Sequence, residues 1–215
     1  MRLIGRHASP FVRRVAVTLQ VYDLPYEHLS VTPFGEDRAR LARFNPIGRV
    51  PALELDDGEM LVDSAVILDY LDQTVGPDRA LTPPTGPARR RVLSLLAVAN
   101  GTNEKLVAAL YERHFRPADR QHQPWIERCE AQVIDGYAWL EQQFEGDWLT
   151  GAEMTQADLT LAVFWLFGQA KRPGFFGRMT CPRIAALSER LGAAPAFVAT
   201  MPEEETLSRD LSRRV

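Results

Sequence analysis

Apolar residues near the start of the chain alternate between two spacings. Short apolar runs at residues 1–5 and 26–31 are typical of strands. Between them, residues 11–21 carry a helical pattern, which predicts a strand, a helix and a second strand in that order. Such alternation is typical of an α/β unit.

Residues 52–62 predict an antiparallel hairpin that is followed directly by a helix. The two strands would be residues 52–55 and 59–62, because the sequence Asp-Asp-Gly between them is a strong turn signal. In residues 65–75 the apolar side chains recur at the spacing of one helix face.

Residues 76–87 contain four prolines and two glycines, a composition that predicts a linker. Beyond them the pattern is helical throughout, and two long apolar stripes predict two antiparallel helices that begin a helical bundle. The stripes consist of Val92, Leu95, Leu96, Ala99, Leu106 and Leu110 in the first helix, and of Ile126, Cys129, Val133, Tyr137, Leu140 and Phe144 in the second.

A capping box is predicted at residues 155–158, where Thr155 and Asp158 can each bond the backbone near the other. The helix that follows, residues 159–167, is apolar nearly all round, which predicts a place in the centre of the bundle. We therefore expect Asp158 to be structural. The highly charged tail at 203–215 is predicted to fray.

Composition narrows the classes of function. The chain has 215 residues, of which 46% are apolar, and no apolar stretch is long enough for a membrane segment. A formal net charge of −3 gives no electrostatic reason to expect nucleic acid. Cys129 and Cys181 are the only cysteines, which favours a reducing, cytoplasmic compartment, and their spacing excludes the usual zinc patterns, so we expect no metal.

Three short motifs hold the candidate chemistry. Ser9 precedes a proline at the start of the first predicted helix, which alone is more simply explained as an ordinary N-cap. Val50 and Pro51 precede the hairpin, and Asp63 and Ser64 precede the next helix. A hydroxyl at a helix start can hold a thiolate, and the amides of a helix start can bind a carboxylate.

Together these motifs resemble those of the glutathione S-transferase superfamily, in particular small bacterial members with Ser-Pro-Phe-Val near the N-terminus. Residues 9–14 resemble the segment with the thiol-activating residue, and residues 45–51 resemble the cis-proline segment. Residues 63–64 resemble the acidic-Ser pair for the γ-glutamyl end of glutathione, and residues 151–158 match a helix-capping signature of the second domain.

The resemblance implies the glutathione transferase fold. Its first part would be an α/β thioredoxin-like, glutathione-binding domain at 1–76, with the element order strand-helix-strand-helix-strand-strand-helix. A linker at 77–87 and an all-α helical bundle at 88–215 would follow.

The resemblance also implies roles for single residues. Ser9 would donate its hydroxyl to the sulfur of glutathione, and a cis Val50–Pro51 bond would turn the backbone of Val50 toward the cysteinyl residue. Asp63 would pair with the γ-glutamyl ammonium, while Ser64 and the helix start would bind the carboxylate.

Two further expectations concern the rest of the site. Arg49 would lie near the glycyl carboxylate, although a solvated side chain explains it equally well. The second substrate would lie against the first long helix of the bundle, where polar residues interrupt the apolar stripe. The candidates for this cleft are Phe11, Asn100, Asn103, Glu104, Tyr111 and Arg113, for some of which a place in the core or on a solvated turn competes.

The leading hypothesis is a homodimeric enzyme that uses glutathione as co-substrate and delivers its thiolate to a small hydrophobic electrophile. A glutathione-binding interaction module without turnover is the alternative from another class. A specialised dehalogenase, isomerase or reductase on the same fold is also open, although a Ser at position 9 in place of Cys disfavours the reductase.

Overall fold

The structure is a computed structural model and describes residues 1–202. The chain divides into two compact units. Met1–Leu81 and residues 193–202 form the first unit, and Thr82–Gly192 form the second.

A small mixed sheet forms the centre of the first unit. Its strands lie in the order β2-β1-β3-β4, with β1 parallel to β2 and antiparallel to β3, which is itself antiparallel to β4. This is the thioredoxin-like sheet that was predicted. The strand bounds are Arg2–Ile4 for β1, Glu27–Leu29 for β2, Ala52–Glu54 for β3 and Met60–Val62 for β4.

The helices of the first unit complete the predicted element order, which is confirmed. Their bounds are Pro10–Val21 for α1, Asp37–Leu41 for α2, Ser64–Val75 for α3 and, after the second unit, Pro195–Ala199 for α9. Helix α1 begins where Ser9 and Pro10 predict, because proline at the first helical position has no N–H that needs a partner.

A buried tyrosine joins the far ends of α1 and α3. The hydroxyl of Tyr22 donates to Asp72 of α3 and accepts from the amide of Leu81 at 2.7 Å, and Arg79 donates to the Tyr22 carbonyl at 2.6 Å. Burial, and then the hydrogen bond to Asp72, raise the pKa of the Tyr22 hydroxyl, so it stays a donor. These contacts fix α1 against α3, the two helices whose N-termini carry the candidate site.

The second unit is helical, as predicted. Its elements are α4 at Gly86–Phe115, a 3-10 turn at Ala118–Arg120, α5 at Gln123–Glu141, α6 at Gln156–Lys171, α7 at Pro173–Phe176 and α8 at Pro182–Gly192. The long helices α4 and α5 come close together at Thr102 and Gly136, where a Cβ on Gly136 would lie 2.0 Å from the Thr102 hydroxyl.

Helix α6 is buried on nearly all sides, which confirms its predicted central place. Residues 156–165 are buried, and the helix packs against α4, α7 and α8. Asp158 accepts hydrogen bonds from the amide of Leu149 at 2.7 Å and from the amide and hydroxyl of Thr155, both at 2.8 Å. The capping box is therefore confirmed, with an additional donor from the preceding loop.

The domain bounds 1–76, 77–87 and 88–215 stay predictions, and the structure draws the division differently at the C-terminal side. Residues 193–202 belong with the first unit because α9 packs on α1. There, Phe197 is 1% exposed and its carbonyl accepts from Arg13 at 3.3 Å.

The prediction for the tail at 203–215 concerns residues outside those described. Within residues 1–202, no helix combines the length and the apolar character that crossing a bilayer requires.

Candidate active site

Ser9 caps α1 and keeps its own proton available. Its backbone is extended (φ −78°, ψ 124°), and its Oγ accepts from the amide of Val12 at 3.5 Å, at the long limit for such a bond. The side chain is partly buried, and within residues 1–202 its hydroxyl proton has no acceptor. This hydroxyl can therefore donate to a ligand atom at the helix N-terminus.

The electrostatic surroundings of Ser9 favour an anion. The first turn of α1 has no acidic residue, and its amides point toward the N-terminus. Arg13, one turn further, is 8% exposed and forms no ion pair with any residue in 1–202. Burial lowers the pKa of Arg13 to about 10, so the guanidinium remains a cation at neutral pH.

The peptide bond between Val50 and Pro51 is cis, as expected from the resemblance. Gly5, at the end of β1, packs against both Val50 and α1. A Cβ on Gly5 would lie 2.6 Å from Val12 and 2.9 Å from the Cβ of Val50, and the φ of Gly5 is +128°. Only glycine fits here, and the close packing brings the cis-proline segment beside the start of α1.

Asn45 holds the loop that leads into the cis peptide bond. It is 2% exposed; its Oδ1 accepts from the amide of Ile47 at 3.1 Å, and its Nδ2 donates to the carbonyl of Arg49 at 2.9 Å. The side chain of Arg49 is exposed and has no ion-pair partner in the described part of the chain. It is available for a carboxylate.

Asp63 lies at the start of α3 with an unusual backbone. Its φ is +71°, a region that residues other than glycine adopt rarely and at a cost of about 1–3 kcal/mol. One carboxylate oxygen accepts from the amide of Ala65 at 2.8 Å. The side chain is exposed, so the second oxygen can pair with a cation.

Ser64 follows as the first residue of α3 and is bound to α1. Its Oγ accepts from the guanidinium of Arg14 at 2.7 Å, and both residues are 2% exposed. The hydroxyl proton of Ser64 is then its remaining donor. Sequence reasoning missed this contact between Arg14 and Ser64. The signal was a basic residue on a helix face that is otherwise apolar.

The candidates for the second substrate differ in their exposure and in their contacts. On α4, Asn100, Glu104 and Tyr111 are separated by four and seven residues and so share one face, with Glu104 and Tyr111 exposed. Asn103 is 0% exposed, and neither polar atom of its amide has a hydrogen-bond partner within residues 1–202. Arg113 pairs with Glu130 of α5 at 2.9 Å. Phe11 is partly buried on α1 beneath the guanidinium of Arg14.

Comparison with known proteins identifies the family. Residues 3–79 match the family model of the glutathione S-transferase N-terminal domain, and residues 123–190 match that of the C-terminal domain. Over 217 aligned residues the chain is 33% identical to a maleylacetoacetate isomerase of Pseudomonas aeruginosa, covering 95% of this chain and 97% of the relative. The chain belongs to the glutathione S-transferase family.

Other members resemble this chain over nearly their full length. The uncharacterized GST-like protein YibF of Escherichia coli is 28% identical over 94% of this chain and 98% of its own. A glutathione S-transferase of Methylobacterium radiotolerans, solved in complex with glutathione sulfonate, superposes with a TM-score of 0.88. It is 27% identical and covers 100% of this chain and 98% of its own. The predicted fold is confirmed.

Proposed function

We propose that this transferase binds glutathione in its first unit and uses Ser9 to stabilise the thiolate for attack on a small hydrophobic electrophile. The observation that carries the proposal is the hydroxyl of Ser9, which has no acceptor within residues 1–202 and lies at the N-terminus of a helix whose first turn has no acidic residue. The cis Val50–Pro51 segment packs beside it through Gly5.

Stabilising the thiolate increases the fraction of bound glutathione that can act as a nucleophile. A free thiol has a pKa of about 8.5, so only a few per cent is thiolate at neutral pH, and the thiolate is the nucleophile. Each unit by which the pKa falls requires about 1.4 kcal/mol. A charge-assisted hydrogen bond from Ser9 together with the end of α1 can supply about one to two units.

The rest of the tripeptide fits the remaining groups. The free carboxylate oxygen of Asp63 would pair with the γ-glutamyl ammonium, and the start of α3 with the Ser64 hydroxyl would bind the γ-glutamyl carboxylate. The backbone of Val50 would pair with the cysteinyl residue, and exposed Arg49 would bind the glycyl carboxylate.

The biological setting is part of the proposal. We place the protein in the cytoplasm as a homodimer of the small bacterial group marked by Ser-Pro-Phe-Val, with a role in detoxification. The bacterial relatives named above support the bacterial group, and the free thiols of Cys129 and Cys181 support a reducing compartment. The electrophile would contact the face of α4 with Asn100, Glu104 and Tyr111.

Glutathione-dependent isomerisation is the second candidate. The relative at 33% identity is a maleylacetoacetate isomerase, and proteins of Caenorhabditis elegans and Vibrio cholerae that match this chain are probable maleylacetoacetate isomerases. In this case the thiolate would add to the substrate and leave again, so glutathione would act as a cofactor and would not be consumed.

The deciding experiment combines calorimetric titration with glutathione and turnover assays. The electrophiles would be an activated aryl chloride, an epoxide and maleylacetoacetate, each with wild type, Ser9→Ala and the control Ser94→Ala. Ser94 is exposed on α4 and bonds only its own helix. Conjugation that requires Ser9 supports the transferase, and isomerisation without glutathione consumption supports the second candidate. Binding without any turnover would indicate an interaction module, and absence of binding would refute the proposal.

A further inference from the structure

The turn that presents Ser9 contains a histidine whose role the proposed function leaves open. The amide of Ser9 donates to the carbonyl of Arg6 at 3.0 Å, which closes a turn with His7 and Ala8 at its centre. His7 thus lies two residues before the proposed thiolate donor. Any displacement of its ring must act on the turn that ends at Ser9.

The ring of His7 is stacked on a second histidine from the neighbouring strand. The centroids of His7 and His28 are 4.1 Å apart, and their planes differ by 2°. His28 belongs to β2, and its Nε2 is 2.7 Å from the carbonyl oxygen of Gly5. Since a carbonyl only accepts, His28 donates from Nε2. The same glycine donates its amide to Leu29 at 3.0 Å, so β2 holds Gly5 from both sides.

Gly5 has no room to move independently of the site. A Cβ placed on it would meet Val12 of α1 at 2.6 Å and Val50 at 2.9 Å. A shift of Gly5 would therefore reach both the start of α1 and the cis-proline segment. His28 holds Gly5, and through the stack it also holds His7.

The surroundings of His7 keep its stacked ring neutral at neutral pH. Burial, then the charges of His28 on β2 and Arg13 on α1, lower the pKa of His7 to about 4. The remaining charged residue in the turn is Arg6, whose guanidinium lies 4.0 Å from the carboxylate of Asp37 in α2. The Nε2 of His7 is buried and has no hydrogen-bond partner within residues 1–202, so the ring is held by stacking and not by a polar bond of that atom.

We propose that His7 and His28 are positioning residues that set the distance between the Ser9 hydroxyl and the sulfur of bound glutathione. The proposal rests on the proposed function. It assigns the two rings no contact with the substrate. We expect the two rings to affect the hydrogen bond from Ser9 to the thiolate, because the strength of such a bond falls steeply as it lengthens or bends. The groups proposed to bind the γ-glutamyl end lie at the start of α3 and should be affected less.

The test separates the two contacts of His28. His28→Phe keeps a ring for the stack and loses the donor to Gly5, while His28→Gln keeps a donor at a similar reach and loses the ring. His28→Ala loses both. His122→Gln is the matched control, because His122 is exposed in the second unit. The readouts are kcat, the KM for glutathione, and the pKa of the bound thiol from thiolate absorbance near 240 nm.

For His28→Ala we expect kcat to fall about 5- to 10-fold with KM for glutathione changed less than about 2-fold, the effect of roughly one hydrogen bond in the thiolate step. The thiol pKa should rise by about half a unit to one unit. His28→Phe and His28→Gln should each lie between Ala and wild type, and the control should match wild type. His7→Leu loses the stack and keeps the His28 donor to Gly5, so it should reproduce the His28→Gln pattern.

The inference fails if the thiol pKa is the same in all variants, or if KM rises while kcat stays constant, because the pair would then only support the fold or the binding of the tripeptide. If His28→Ala does not fold, the Phe and Gln variants decide by the same criterion. A wild type that binds no glutathione would instead refute the proposed function, which the calorimetric titration detects separately.

Discussion

The N-termini of α1 and α6 begin with the same chemistry and use it differently. At α6, Asp158 is 0% exposed and accepts from three donors within hydrogen-bonding distance, so its acceptor capacity is occupied by the protein. At α1, Ser9 accepts a single long bond from Val12, and its hydroxyl proton has no acceptor within residues 1–202. A hydroxyl or carboxylate at a helix start is thus structural when its partners are internal and available for chemistry when they are not.

Asp158 at the start of α6 and Ser9 at the start of α1 also differ in burial. Desolvation raises the pKa of Asp158, while the hydrogen bonds from Leu149 and Thr155 act in the opposite direction. Ser9 is only partly buried and lies at a surface that a ligand can reach. Removing Asp158 should therefore affect folding, and removing Ser9 should affect turnover.

The largest expected effect is that of Asp158→Ala. Without the carboxylate, the buried amides of Leu149 and Thr155 lose their acceptor, at about 1–3 kcal/mol each, so the free energy of unfolding should fall by about 3 kcal/mol. Urea denaturation measures this, with Asp135→Ala, exposed on α5, as the control. A loss no greater than in the control would show that the cap of α6 is dispensable.

Ser9→Ala should reverse that pattern. Its cap bond of 3.5 Å is weak, so the free energy of unfolding should change by less than about 1 kcal/mol. Turnover should fall about 10- to 100-fold, the loss of a charge-assisted hydrogen bond to the thiolate, with glutathione affinity within a few-fold. Kinetics at saturating glutathione measure the turnover, and urea denaturation measures the stability. A variant that is destabilised but turns over normally would contradict the contrast drawn between Ser9 and Asp158.

Ser64→Ala should act on binding first. The change removes a donor to the γ-glutamyl carboxylate and leaves Arg14 without its bond at 2.7 Å, so glutathione affinity should fall about 5- to 10-fold. Calorimetric titration of the variant beside Ser94→Ala measures it. Affinity equal to that of the wild type would remove Ser64 from the site.

The last prediction concerns the dependence of stability on pH. The pKa of His7 is lowered to about 4 in the folded chain, against about 6.5 when unfolded, so the unfolded chain binds more protons between these values. The free energy of unfolding should therefore hold above pH 6.5 and decrease as the pH falls toward 4. Between pH 7 and pH 4.5, the free energy of unfolding should fall less for His7→Phe than for wild type or for His122→Gln. An equal fall in all three proteins would show that His7 is not the source of the pH dependence.

Local signals in the sequence predicted much of the fold. The Ser-Pro pair marked the start of α1, the Asp-Asp-Gly turn marked the hairpin of β3 and β4, and Thr155 with Asp158 marked the start of α6. Each of these depends on residues within a few positions of each other. The cis bond before Pro51 was different, because it was expected only from the family resemblance.

Contacts between distant residues were beyond such reasoning. Arg14 bonds a hydroxyl 50 positions away, and His28 bonds a carbonyl 23 positions away, so neither partner is visible in a local pattern. The same holds for α9, whose place on α1 follows from the contact between Arg13 and Phe197, 184 positions apart. Among the candidates for the second substrate, spacing alone did not distinguish Asn103, which is fully buried, from its exposed neighbour Glu104.

The central claim is that Ser9 stabilises the sulfur of glutathione as thiolate at the start of α1. Titration of the bound thiol by its absorbance near 240 nm tests this directly in wild type and Ser9→Ala. We predict a thiol pKa about one to two units below the free value of about 8.5 in the wild type, and a return toward the free value in the variant. Equal pKa values in the two proteins, or a wild-type value no lower than that of free glutathione, would contradict the account.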